Sequence, residues 1–140
     1  MDKNIEQIPM VGENPFWVLI VDDLPINLLL LERALSKMGC VCEFAENGLE
    51  ALRKLDGRSF NLLFMDCQMP FMDGCTAIQE IRKSGKHARL KIICTSATKS
   101  IPGKINPRCK TCAIDGFLRK PSTNETLKNF LDSLRFQTQS

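Results

Sequence analysis

Short apolar runs alternate with segments of helical period along almost the whole chain, and that alternation limits the architecture more than any other feature of the sequence. The runs are Trp17 to Val21, Val41 to Ala45, Phe60 to Met65, Leu90 to Thr95 and a brief one at Ile114 to Leu118. Helical patterns follow at Pro25 to Met38, Leu49 to Leu55, Cys75 to Lys83 and Asn124 to Arg135, the last opening with the capping-box spacing Ser122-Thr123-Asn124-Glu125. Strands and helices in alternation build a parallel sheet covered by helices on both faces. Strands covered on both sides need no polar alternation, and Phe60 to Met65 shows little. Between the fourth and fifth runs, Pro102-Gly103 and Pro107 interrupt any long helical period. The reading is therefore an α/β, doubly wound sheet of five parallel strands.

A chain of 140 residues suits one domain of this kind. Residues Met1 to Pro15 lack a period and hold Pro9, Gly12 and Pro15, so 1–15 read as a tail or linker, 16–136 as the domain and 137–140 as a C-terminal tail. No apolar stretch approaches the roughly 18 residues of a spanning helix. The start lacks a basic, signal-like region, which places the chain in a reducing cytosol. Seven cysteines agree with that, since an odd count does not close a disulfide framework, and most are expected as small apolar core residues. Charge is uneven. Met1 to Ile81 carries 6 basic and 13 acidic residues, whereas Arg82 to Lys120 carries 11 basic residues and one acid, Asp115. That asymmetry reads either as solvated loops or as a patch for an acidic partner or nucleic acid.

In a doubly wound sheet, ligands bind outside the carboxyl ends of the strands. Asp22-Asp23 follows the first strand, Asp66 the third, Thr95-Ser96 ends the fourth and Lys120-Pro121 follows the fifth. Three carboxylates at one sheet edge repel one another unless protons or a cation neutralise them. An oxygen-only ligand set suits a hard ion, and Mg²⁺ fits best because it takes few carboxylates and can accept phosphoryl oxygens. With Lys120 as a cation and Ser96 as a hydroxyl donor, the set matches what phosphoryl transfer asks of a protein, and an aspartate carboxylate would be the nucleophile. The competing reading makes Asp22 and Asp23 caps of the helix at Pro25, and Asp66 and Lys120 a structural ion pair.

Over Trp17 to Arg135 the sequence resembles the receiver domains of two-component signalling. Val18-Leu19-Ile20-Val21-Asp22-Asp23-Leu24-Pro25-Ile26-Asn27 is similar to that family's opening strand and acidic pair. Met65-Asp66-Cys67-Gln68-Met69-Pro70-Phe71-Met72-Asp73-Gly74 resembles its phosphoacceptor loop, most closely as found in hybrid histidine kinases, and Phe117-Leu118-Arg119-Lys120-Pro121 its closing motif. The resemblance implies a flavodoxin-like sheet in strand order 2-1-3-4-5 and a domain that phosphorylates and dephosphorylates itself rather than a conventional turnover enzyme. It implies Asp66 as phosphoacceptor, with Mg²⁺ held by Asp22, Asp23, Asp66 and the Gln68 carbonyl. Ser96 and Phe117 take the switch positions, Lys120 is the phosphate ligand, and Gln68 and Thr98 flank the site where phosphoryl lifetime is set. The implied partner is a histidine kinase or histidine phosphotransfer protein docking on the first helix, and neither membrane contact nor nucleic acid is expected. Two departures bear on switching: the fourth helix is expected to be short or displaced, and Ala113 stands where a glycine often ends it.

Leu28 to Leu31 are more leucines than one buried stripe requires, so some should face outward, as a docking anchor or as a thick core contact. Cys109 and Cys112 form a lone C-x-x-C, read as incidental because a structural zinc site wants four ligands. His87, the single histidine, is expected to be exposed and not catalytic. Two other function classes compete: a pseudo-receiver acting only as a protein-binding module, and a nucleic-acid binder, which the lack of tyrosine and the single tryptophan disfavour.

Overall fold

The structure is a computed structural model that describes residues 15–66, 74–96, 114–119 and 124–139. Its elements run β1 (Trp17–Val21), α1 (Pro25–Lys37), β2 (Val41–Ala45), α2 (Gly48–Gly57), β3 (Leu62–Asp66), α3 (Gly74–Ser84), β4 (Lys91–Ser96), β5 (Gly116–Arg119) and α4 (Asn124–Gln139). The five strands pair in parallel in the order β2-β1-β3-β4-β5, as the resemblance implied. The segment expected to hold a short or displaced helix, 97–113, lies outside the described residues, as do Ala113 and the Ser122-Thr123 part of the capping box.

Alternate residues along the strands feed two cores. On one face, Val18, Ile20, Leu62, Phe64 and Ile93 meet Leu28 and Leu35 of α1 and Leu127 and Leu131 of α4. On the other, Leu19, Val21, Leu63, Met65 and Ile92 meet Ala51 and Leu55 of α2 and Ala77, Ile78 and Ile81 of α3. β3 is buried at all five positions, which is why its sequence reads as an unbroken apolar run ending in an acid.

Local chemistry sets the element ends. Pro25 begins α1, where its missing N–H costs nothing. At the other end Gly39 has φ of 92°, and the Cys40 and Gly39 amides donate to the Leu35 and Ser36 carbonyls, a Schellman closure that needs the left-handed residue. α2 starts one residue before the expected Leu49. The Asn47 side chain accepts from Glu50 N at 2.8 Å, and Glu50 Oε1 accepts from Glu46 N at 2.6 Å. β3 starts at Leu62 rather than Phe60, whose ring is buried edge-on against Trp17 before the ladder begins. α4 runs to Gln139, beyond the expected Arg135.

Two side-chain expectations need correction. His87 is half-buried, not exposed, and its carbonyl accepts from Arg82 Nη1 at 3.3 Å. Arg82 also bonds the Leu90 carbonyl and Asp115, whose carboxylate accepts from Ile92 N as well, so the one acid of the basic segment is taken up in holding the α3–β4 turn. Among the described cysteines, Cys40 and Cys42 are not in a disulfide, and Cys40 and Cys94 are buried as expected of small apolar residues. Cys94, however, is disulfide-bonded.

Candidate functional site

The parallel register delivers the acidic residues to one place. Val21 of β1 lies opposite Met65 of β3, so Asp22 and Asp66 come next on adjacent strands at the carboxyl edge of the sheet. Asp66 pairs in turn with Thr95 of β4. Asp22 is anchored through its backbone, whose N–H donates to the Ala45 carbonyl of β2 at 3.1 Å. Carboxylate oxygens of Asp22, Asp23 and Asp66 all lie within 4.8 Å of one another. Asp22 and Asp66 are each only 3% exposed, whereas Asp23 faces solvent.

The helix-cap alternative for the acidic pair is not what the structure shows for Asp22. The N-cap of α1 is Leu24, without a side-chain cap bond. Asp22 Oδ1 instead accepts from Leu24 N at 3.0 Å and from Asn27 Nδ2 at 3.4 Å. Asn27 is a site neighbour that residue-type reasoning passed over; the signal available was an amide side chain one helical turn beyond the acidic pair.

Of the other expected site residues, Ser96 is the last residue of β4 and lies in register with Arg119 of β5, immediately before Lys120. Phe117 is half-buried on β5 opposite Cys94, two ladder positions below Ser96. Lys120, Gln68 and Thr98 lie outside the described residues, as do Cys109 and Cys112. Next to the site, α1 exposes Ile26, Leu29 and Leu30, with Leu24 just before it, while Leu28 is buried and Leu31 half-buried. The leucine run therefore divides between core and surface.

With this geometry in view, comparison with known families is decisive: residues 18–132 match the response regulator receiver domain. The chain belongs to that family. The hybrid signal transduction histidine kinase E of Dictyostelium discoideum is 39% identical over 117 residues, which cover 81% of this chain and 7% of the kinase. The chain thus spans a small fraction of the curated relatives it matches. Among solved structures, the receiver domain of sensor histidine kinase PA1611 from Pseudomonas aeruginosa, with a magnesium ion in its active-site cleft, has TM-score 0.76 and 25% identity, covering 87% of this chain and 98% of that one. The receiver domain of Saccharomyces cerevisiae Ssk1, solved with the histidine phosphotransfer protein Ypd1, has TM-score 0.78 and 25% identity, covering 90% of this chain and 92% of that one.

The chain is thus a receiver domain of two-component signalling, and its acidic triad sits where the doubly wound topology puts ligands. Two carboxylates buried side by side with a third at 4.8 Å or less repel one another, and a counter-ion relieves that repulsion. Three oxygen donors with no nitrogen or sulfur in the group fit a hard divalent cation. No helix among the described residues is long and apolar enough to cross a membrane.

Proposed function

We propose that Asp66 accepts a phosphoryl group from a phosphohistidine donor, within a domain spanning about residues 16–136. In that step an Asp66 carboxylate oxygen forms a bond to phosphorus while the P–N bond to the donor imidazole breaks, and the bonding pair leaves on the imidazole nitrogen. The observation that carries the reading is the triad: a buried carboxylate, Asp66, held within 4.8 Å of two more at the carboxyl edge of a parallel sheet. Asp22, Asp23, Asp66 and the Gln68 carbonyl would hold Mg²⁺. When bound, the ion would offset the charge of the phosphoryl oxygens and of the triad itself.

The remaining roles belong to this chain's own side chains. Lys120 would pair with the phosphoryl group, and the Ser96 hydroxyl would donate to one of its oxygens. Loss of that hydroxyl from its resting position would let Phe117 turn inward, passing the change to the β4–β5 side of the molecule. Support for Ser96 comes from its backbone position at the end of β4, one strand from Asp66.

The donor would be a histidine kinase or histidine phosphotransfer protein, whose helices would dock on α1 beside the site. Ile26, Leu29 and Leu30 are about half exposed there, at 56%, 49% and 53%, more apolar surface than an unpartnered helix needs. The complex of Ypd1 with a receiver of the same fold supports that choice of donor. The site would work on the cytosolic side of any membrane to which a longer protein belonged.

The test is phosphotransfer from phosphorylated Ypd1. Wild type should take up the phosphoryl group in Mg²⁺ and fail to do so in excess chelator, and Asp66→Asn should fail in both. Equal uptake by Asp66→Asn would remove the assignment.

A further inference from the structure

Asn27 stands in the first turn of α1, where its own amide N–H donates to the Leu24 carbonyl at 3.0 Å and its side chain is half-buried. Asparagine is a weak helix former, because its side chain competes with the backbone for hydrogen bonds, and a residue serving only the helix would be better as alanine. Its Nδ2 instead points back to Asp22 Oδ1 at 3.4 Å, and the Leu24 backbone N–H reaches the same oxygen at 3.0 Å. A carboxylate oxygen offers two lone-pair directions, so Oδ1 can accept from both donors.

We propose that Asn27 is a positioning residue for the cation site: with Leu24 N–H it fixes the plane of the Asp22 carboxylate, so that Oδ2 is the oxygen presented to Asp23 and Asp66. The inference rests on reading the triad as a divalent-cation site. Two donors from different directions hold the plane of a carboxylate more firmly than one. Asp22 is the buried member that β1 contributes, and its backbone is pinned to β2 through Ala45, so the side-chain torsions are the freedom left to remove. The amide does for a carboxylate ligand what a hydrogen-bonded partner does for a metal-bound imidazole: it orients the donor atom before the ion arrives.

A merely structural role for Asn27, tying the β1–α1 turn to the helix, would show as lost stability without metal. A positioning role would show as weaker metal binding with that stability kept. The experiment uses the full chain and Mn²⁺ alone as probe, its binding read from loss of the free-ion electron paramagnetic resonance signal, with MgCl₂ in competition. Asn27→Ala and the near-isosteric Asn27→Leu are compared with wild type and with Ser36→Ala, an exposed change in the last turn of α1. Thermal midpoints are measured in EDTA for all four. The expected result is a Kd for Mn²⁺ raised about 10-fold in both Asn27 variants, unchanged in Ser36→Ala, with EDTA midpoints matching wild type. An unchanged Kd in Asn27→Ala overturns the proposal. So does a fall in EDTA midpoint in both Asn27 variants that accounts for the weaker binding. Wild type failing to bind Mn²⁺ at all would instead overturn the cation-site reading beneath it, which separates the two failures.

Discussion

Replacing the central carboxylate should make the metal-free protein more stable. Asp22 and Asp66 are both buried, and their carboxylate oxygens approach within 4.8 Å. Two unit charges at that separation repel by about 3.5 kcal/mol at an effective dielectric constant of about 20. Asp66 also has a partner beyond the triad's carboxylates or an electrostatic interaction with them, and any hydrogen bond weakened in a neutral amide offsets part of the relief. The net expectation for Asp66→Asn is a gain of about 1–3 kcal/mol, or roughly 3–10 °C in Tm for a chain of this length. The assay is thermal and urea unfolding of both proteins, first in EDTA and then in Mg²⁺. A cation at a hundredfold excess over Kd adds about 2.7 kcal/mol to the protein that binds it. Asp66→Asn lacks one of the three ligands, so its advantage should shrink or reverse in Mg²⁺. Asp66→Asn less stable than wild type in EDTA, or a gap indifferent to Mg²⁺, would refute the view that the triad is a repulsive cluster awaiting a cation.

Other expectations follow from the same structure. Leu30→Asp should slow phosphotransfer from Ypd1 at least tenfold while leaving phosphorylation by acetyl phosphate intact, since a hot-spot anchor carries about 2 kcal/mol or more; equal effects on both would place Leu30 in the fold rather than the interface. Leu35→Ala, fully buried between α1 and the sheet, should cost about 2–5 kcal/mol in urea unfolding. Asn47→Ala should cost about 1 kcal/mol, because Glu50 N loses its cap acceptor. The Cys42 thiol is pushed up to about 12 from 9.0, first by burial and then by Cys40 and Glu32 beside it. The neutral thiol is favoured in the fold, so its contribution to stability is full below pH 9.0 and lost as pH rises toward about 12. Iodoacetamide at pH 8 should label Cys42 far more slowly than the unfolded chain.

The architecture was legible because burial on both faces leaves a coarse mark. β1 and β2 coincide with their apolar runs, and α1 starts at the expected proline. The acidic triad was legible for a topological reason: a parallel sheet gathers strand ends, so Asp22, Asp23 and Asp66 had to converge once the order of strands was right. What the sequence concealed depends on contacts without a period. Phe60 looks like strand because it is apolar, yet it is buried by Trp17 rather than by pairing. Gln137-Thr138-Gln139 continue α4 without an apolar face to announce it. The half-burial of His87 follows from Arg82 gathering the α3–β4 turn, a link set by a side chain bonding across eight residues to Leu90 and 33 to Asp115. Asp22 reads as a helix cap by residue type and spacing; only the actual bonds, to Leu24 N and the Asn27 amide, give it a different task. The disulfide at Cys94 has no counterpart in the odd cysteine count.

The central claim is that Asp66 takes the phosphoryl group, and its most direct test needs no partner protein. The chain is incubated with acetyl phosphate and Mg²⁺, the acyl phosphate is trapped by borohydride reduction, and the modified residue is located by peptide mass spectrometry. A single modified site at Asp66, absent without Mg²⁺ and absent in Asp66→Asn, is the predicted result. Modification elsewhere in wild type, or an unmodified Asp66 under conditions that phosphorylate the receiver domain of PA1611, would contradict it.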